Sequence, residues 1–222
     1  MLSFAHNLYS FFIPLHNNYS TNTMIIDNDI FNLLGNQPEP ETGDVIIAEP
    51  FLVDSHFSRS CILLTKHSDE IDTMGLVINH KLDCCLTDLI TDIETDAIIP
   101  VFLGGPLSND RLFFIHDIGH AIPGATPITK NLSLCGDFDT VKAILESQPD
   151  SSNHFKFFVG YSGWANGQLS DEIASHTWAV GKNIPIQLIM ASNTESTWRD
   201  CVASLGSNYK NWLTCPDNPS LN

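Results

Sequence analysis

Basic residues are scarce in this chain. Ten Lys+Arg stand against 26 Asp+Glu, a formal charge of −16 and a pI near 4.6. Up to and including Arg111 there are 4 basic and 16 acidic residues, and beyond it 6 and 10, so neither half holds a basic face in reserve. Nucleic-acid affinity rests on phosphate neutralisation by Lys and Arg. Direct DNA or RNA binding is therefore disfavoured, and anionic membranes are disfavoured for the same reason. No apolar run approaches the ~20 residues that span a bilayer. Residues 1–23 carry no charge at all, and neither the positive start of a secretory signal nor the arginines of a transit peptide are present. Met24 follows at once, which fits a start codon placed too far upstream, and this tail is expected to be disordered.

Several catalytic signatures are missing. The six cysteines, Cys61, Cys84, Cys85, Cys135, Cys201 and Cys215, form no C-x-x-C pair. Most stand where a small apolar residue would serve, which suits a reduced, cytoplasmic protein, with a redox-sensing Cys84/Cys85 pair as the alternative. There is no G-K-[ST] and no G-x-G-x-x-G, so Gly104-Gly105-Pro106 reads as a tight turn before it reads as a phosphate loop. Gly160-Tyr161-Ser162-Gly163-Trp164 misses the nucleophile elbow G-x-S-x-G, because tryptophan stands where its last glycine belongs. His116 and His120 are four apart, but at a strand end and in a loop, where helical spacing means little, so neutral hydrogen-bonding histidines are expected and not a metal pair. No cofactor is implied.

What is present is organised around Phe155–Glu172. Apolar and aromatic residues around one lysine predict a strand. Gly160, Gly163 and Gly167 then break it into a corner holding Tyr161 and Trp164, and Leu169 and Ile173, four apart, predict the start of a helix. Such a corner either builds a pocket wall or is simply well packed.

Around this stretch the spacing predicts a short helix over Asp29–Leu34 and strands over Asp44–Glu49, Ser60–Lys66 and Met74–Asn79, with Ser68–Thr73 as a hairpin loop. A two-turn helix follows over Leu86–Ile93, then strands over Pro100–Leu103, Arg111–His116 and Ile128–Leu134. A helix over Phe138–Gln148 has Asp137 and Asp139 at its N-terminal end, where the macrodipole favours acids. Strands over Thr177–Val180 and Ile186–Met190 and a helix over Ser196–Leu205, closed by Gly206, complete the body. The tail from Tyr209 is expected to pack outside. Strands and helices mix without a βαβ rhythm, which predicts one α+β domain with a mixed, largely antiparallel sheet and helices outside it. His67 and Asn79 end neighbouring strands and are expected either to face one another or to anchor loops. Arg59, at a strand entrance, is suited to hold a carboxylate, internal or from a ligand.

These stretches together resemble the YqgE/AlgH family in its Bacteroidetes-like version. The resemblance rests on Gly43–Ile47 with Pro50-Phe51, Phe57-Ser58-Arg59-Ser60, Met74–Asn79, Phe102–Pro106 with Asp110, Leu112–His116, Gly136-Asp137-Phe138, Phe158–Trp164 with Gly167-Gln168-Leu169 and Glu172, Trp178, and the ending Leu205-Gly206, Tyr209, Trp212, Pro216 and Pro219–Asn222. It covers residues 43–222, leaving 24–42 as a lead-in. It implies a sheet partly rolled into a pseudo-barrel, a bacterial cytosolic location and no established enzymatic activity. Some family members carry the label of transcriptional regulator, which the acidic charge contradicts as far as DNA contact goes. Lys156 stands for the family's usual arginine, Cys135 for a glycine and Ser55 for a proline. The motifs fall at strand ends and corners, where sites are usually placed. The resulting candidate site is Arg59, Ser60, His67, Asn79, Gly104, Gly105, Pro106, His116, Tyr161, Trp164 and Gln168. A non-enzymatic module binding a small molecule or a protein partner is expected, with a hydrolase or transferase using His67 or His116 as base as the alternative.

Overall fold

A long strand at the centre of the sheet positions everything else. The computed structural model describes residues 37–68 and 71–216, so the expected tail, most of the lead-in and the helix over 29–34 lie outside the described residues. Strand β9 (Phe155–Trp164) has three strand partners. Its first half pairs in parallel with β5 (Pro100–Leu103) and antiparallel with β6 (Leu107–His116), and its second half pairs antiparallel with β3 (Ile71–Val77). From β3 the sheet runs outward through β2 (Cys61–Ser68) and β1 (Val45–Ala48) to β10 (Trp178–Gly181). From β6 it runs through β8 (Leu132–Leu134) to β7 (Thr126–Thr129), and β4 (Lys81–Cys85) borders β5. All pairings but β5·β9 are antiparallel, and the ten-stranded sheet stays open. The mixed α+β architecture expected from the sequence is the one observed.

Both faces are covered, which is why β1 and the first half of β2 are continuously apolar rather than alternating. One face, with Val45, Leu63, Leu76, Phe102 and Phe158, lies under α4 (Ile186–Met190), α5 (Thr197–Ser204) and α6 (Lys210–Thr214). The other carries two clusters. Ile46, Ile62, Val77, Trp164 and Trp178 pack on α3 (Gln168–Ala174), and Val101, Phe114 and Phe157 on α1 (Leu86–Leu89) and α2 (Phe138–Ser147). Asp137 caps α2 by accepting from the Thr140 N–H at 2.9 Å. Among the described residues no helix is long and apolar enough to cross a membrane.

Five local expectations change. The strand does not break at Gly160. It kinks there, with φ +70, opposite a register shift whose extra residues lie in β6 between Leu107 and Leu112, and continues through Gly163 to Trp164, so the corner is at residues 165–167. The kink puts Phe158 and Tyr161 on one face and Trp164 on the other, so Tyr161 and Trp164 do not share a wall. Residues expected to loop between β2 and β3 are strand up to Ser68 and again from Ile71. The helix begun at Leu86 stops after one turn, because Ile93 reaches the core from extended chain while Leu89 stays exposed. Ile128–Leu134 is the inner part of a β7–β8 hairpin turning at Lys130-Asn131. Ile186–Met190 is helical, with Ile186, Ile189 and Met190 at i, i+3, i+4 spacing against the core.

Candidate functional site

The turn after β9 is built on one carboxylate. Glu172 Oε2 accepts from Trp164 Nε1 at 2.8 Å and from Trp178 Nε1 at 2.7 Å, and its Oε1 accepts from Gln168 Nε2 at 2.9 Å. Gln168 Oε1 in turn accepts from the Ala165 N–H at 3.1 Å. The two indoles meet edge to face at 6.2 Å and both are buried. Their polar handles are thus committed inside the fold, and Trp164 and Gln168 hold the turn in shape rather than facing a ligand.

That turn forms one side of a cleft of about 230 Å³. The other side is the far end of the β2–β3 hairpin. His67 Nδ1 lies 2.7 Å from Thr73 Oγ1, and Thr73 pairs with Trp164 across the sheet. The Thr42 hydroxyl fixes the strand beside them by accepting from the His67 N–H at 3.0 Å. Opposite stand Asn166, Gly167 and Ser170, with Leu169 as the apolar floor. Gly167 takes φ +80 to start α3. The cleft's other side chains, Thr73, Asn166, Ser170 and Leu169, carry no charge.

The remaining candidates lie elsewhere. Antiparallel pairing sets Ile62 against Val77 and Ser68 against Ile71, so His67 and Asn79 fall at opposite ends of the hairpin and do not face one another. Asn79 anchors the entry to β2. Its Oδ1 accepts from the Cys61 N–H at 2.8 Å and its Nδ2 donates to the Arg59 carbonyl at 2.9 Å. Arg59, at φ +49, lays its guanidinium over Trp198 at 4.5 Å and donates to the carbonyls of Cys215 at 3.0 Å and Pro216 at 2.6 Å. Among the described residues it thus holds backbone carbonyls of the C-terminal segment. Ser60 beside it is buried, its hydroxyl without a partner among the described residues.

Gly104 and Gly105 are buried against β9, and Pro106 is exposed. A Cβ on Gly104 would come 2.3 Å from the Gly160 carbonyl oxygen, and one on Gly105 2.4 Å from Ser162 Oγ. The Gly104 N–H donates to Val159 at 2.8 Å, and its carbonyl accepts from the Val77 N–H at 2.9 Å and the Ser162 hydroxyl at 3.1 Å. These backbone groups face the sheet and offer nothing to an anion. His116 is buried between Phe114 and Phe155, with Nε2 3.1 Å from the Cys135 carbonyl. Burial pushes its pKa below the ordinary imidazole value, so the ring is neutral at pH 7. Cys84 has its thiol pushed up, by burial first and then by Asp88, Cys85 and Asp83, which disfavours a reactive thiolate.

Sequence reasoning missed Thr73, Asn166 and Ser170 as cleft residues, and it quoted Glu172 without a role. Only the i, i+4 spacing of Gln168 and Glu172 on one helix face hinted at their pairing. Lys156, which stands for the family's usual arginine, is buried, with its amine pushed down to about 7 by desolvation.

A family model described as AlgH-like matches residues 45–210. A UPF0301 protein of Bacteroides thetaiotaomicron is 40% identical over 199 residues, covering 90% of this chain and 100% of that protein. One of Bacteroides fragilis is 41% identical over 200 residues, covering 90% and 100%. A crystal structure of a Corynebacterium diphtheriae protein superposes with TM-score 0.69 at 21% identity over 86% of this chain and 100% of that one. The solution structure of the AlgH protein from Pseudomonas aeruginosa gives TM-score 0.61 at 25% identity over 82% and 97%.

Proposed function

The chain belongs to the AlgH-like family, and from that premise we propose that it is a non-enzymatic cytoplasmic binding module whose ligand sits between the β2–β3 hairpin end and the start of α3. The observation that carries this reading is the cleft of about 230 Å³ with uncharged polar groups on its rim. Pockets with a few convergent polar groups on an apolar floor are the usual form of small-molecule sites. Among the other candidates, Arg59, Asn79, His116, Trp164 and Gln168 hydrogen-bond within the fold. Among the described residues no Lys or Arg lines the cleft, and the reading favours a neutral, hydrogen-bonding ligand. Any influence on transcription is then indirect, since a charge of −16 works against DNA contact.

Mass spectrometry of freshly purified protein, native and then denaturing, tests the reading. A retained mass that leaves on denaturation is expected, and Ser170→Trp, which fills the cleft, abolishes it. Binding also raises stability by about 2.7 kcal/mol at a hundredfold excess over Kd. A retained molecule undisturbed by both Ser170→Trp and His67→Ala would overturn the assignment. Gel shifts at physiological salt are expected to show no sequence-dependent DNA binding.

One observation favours a second reading, a hydrolase or transferase. The 2.7 Å contact of His67 Nδ1 with Thr73 Oγ1 pairs a base with a hydroxyl beside the cleft. Turnover in an ester and amide substrate screen, abolished by both His67→Ala and Thr73→Val, would establish it over the binding reading.

A further inference from the structure

The chain between β4 and β5 carries acids on its outside and no cation of its own. No Lys or Arg occurs between Lys81 and Arg111, while Asp83, Asp88, Asp92, Glu94 and Asp96 are all exposed. The inner side of this excursion is fixed. Leu86 donates its N–H to the Ile99 carbonyl at 2.8 Å, the Glu94 N–H donates to Glu146 Oε1 at 3.2 Å, and Lys142 Nζ reaches Asp92 Oδ2 at 2.8 Å. Leu86, Ile93 and Ile99 are buried in one cluster with Val141 and Leu145 of α2. From Ile93 to Ile99 exposure alternates, so Glu94, Asp96 and Ile98 turn outward at every second residue. Outward positions on an extended segment with one buried face are ordinarily polar. Ile98 is nonetheless 84% exposed, and the adjoining turn of α1 leaves Leu89 43% exposed.

We propose that this face docks a basic segment of a partner protein, whose Lys or Arg side chains meet Glu94 and Asp96 while an apolar side chain packs on Ile98. The face shares no residue with the cleft beside α3. Charge selects the partner. Nucleic acid and anionic lipid bring phosphates, which these carboxylates repel. The acids are spread along the chain, and among the described residues no three His, Cys, Asp or Glu side chains converge to hold a metal ion. A second copy brings no complement, because the ten Lys+Arg stand singly along the sequence and two such faces set together repel. Covering the exposed isoleucine supplies affinity, and the acids on either side of Thr95 supply steering and register.

The test is fluorescence anisotropy of a labelled, alternating Lys-Leu hexapeptide titrated with the full chain at about 50 mM NaCl. Saturable binding that weakens with added salt is expected, and an alternating Lys-Ser hexapeptide of equal charge binds at least about tenfold more weakly. Ile98→Ser lowers affinity for the Lys-Leu peptide by about fivefold. Glu94→Lys with Asp96→Lys lowers it by about tenfold or more. Glu39→Lys with Glu195→Lys, exposed acids outside the excursion, makes the same change in net charge and alters affinity by less than about twofold. Circular dichroism checks that each variant keeps the fold. No saturable binding, equal binding of the two peptides, unchanged affinity in either site variant, or an equal loss in the Glu39 and Glu195 pair would overturn the proposal. So would a dimer of the parent in sedimentation that Ile98→Ser dissolves, since the face would then belong to a second copy.

Discussion

Single residues decide more of this molecule by what they leave out than by what they add. Gly104 lets the chain after β5 lie against Gly160, and any Cβ there meets a backbone carbonyl that has no rotamer to retreat into. Gly104→Ala is therefore expected to destabilise by about 2–4 kcal/mol in urea titration, a large effect for one methyl group. A change within 0.5 kcal/mol would mean that the turn adapts and that its glycines serve something else. His116 sets a pH dependence. Below pH 6.5 the unfolded chain takes up a proton that the folded chain, with its lowered pKa, refuses. Stability is thus lost as pH falls from about 6.5 through the folded value, and His116 contributes no slope well above it. His116→Leu should flatten the acid limb of a Tm-against-pH curve relative to the parent. An unchanged acid limb would show that another group controls it.

At the scale of elements, strands that pair locally were legible and structures shaped by distant contacts were not. Val45–Ala48 and Pro100–Leu103 are short apolar runs between turn signals, and they are strands. Asp137 and Gly206 marked a helix start and a helix end that the structure keeps. Ile186–Met190 has the composition of a strand but packs as a helix over the core, an outcome only tertiary contact decides. Gly160 and Gly163 look like breaks because sequence does not reveal that β9 passes through a left-handed residue and continues as a strand. The candidate site suffered in the same way. Trp164 and Gln168 were found, but their role depends on Glu172, and the cleft beside them depends on Thr73, which only the hairpin register brings near. The C-terminal helices stand or fall with Trp198, which stacks on Trp212, lies under Arg59 and donates to the Ala48 carbonyl at 2.9 Å. Trp198→Ala is expected to cost about 3–5 kcal/mol in chemical denaturation. Limited proteolysis should show early cleavage beyond residue 205, and uniform resistance there would refute the clamp.

For the whole molecule, charge and connectivity are the governing properties. A net −16 spread over 222 residues repels itself, so raising NaCl from about 20 to 500 mM should raise Tm as the Debye length shrinks from roughly 20 Å to about 4 Å. A fall in Tm with salt would show that ion pairs such as Lys182–Asp44 and Lys142–Asp92 outweigh the repulsion. The centrality of β9 carries a consequence for how the protein is made. Take β9 away and the pairings that remain divide into β10–β1–β2–β3, β4–β5 and β6–β8–β7, three groups with no strand pairing between them. A nascent chain on the ribosome reaches that condition after β8 is synthesised and leaves it only when Trp164 has cleared the exit tunnel. During that interval the edges of β3, β5 and β6 stand unpaired, so the unfinished chain is expected to be more open to edge-to-edge association than the completed fold.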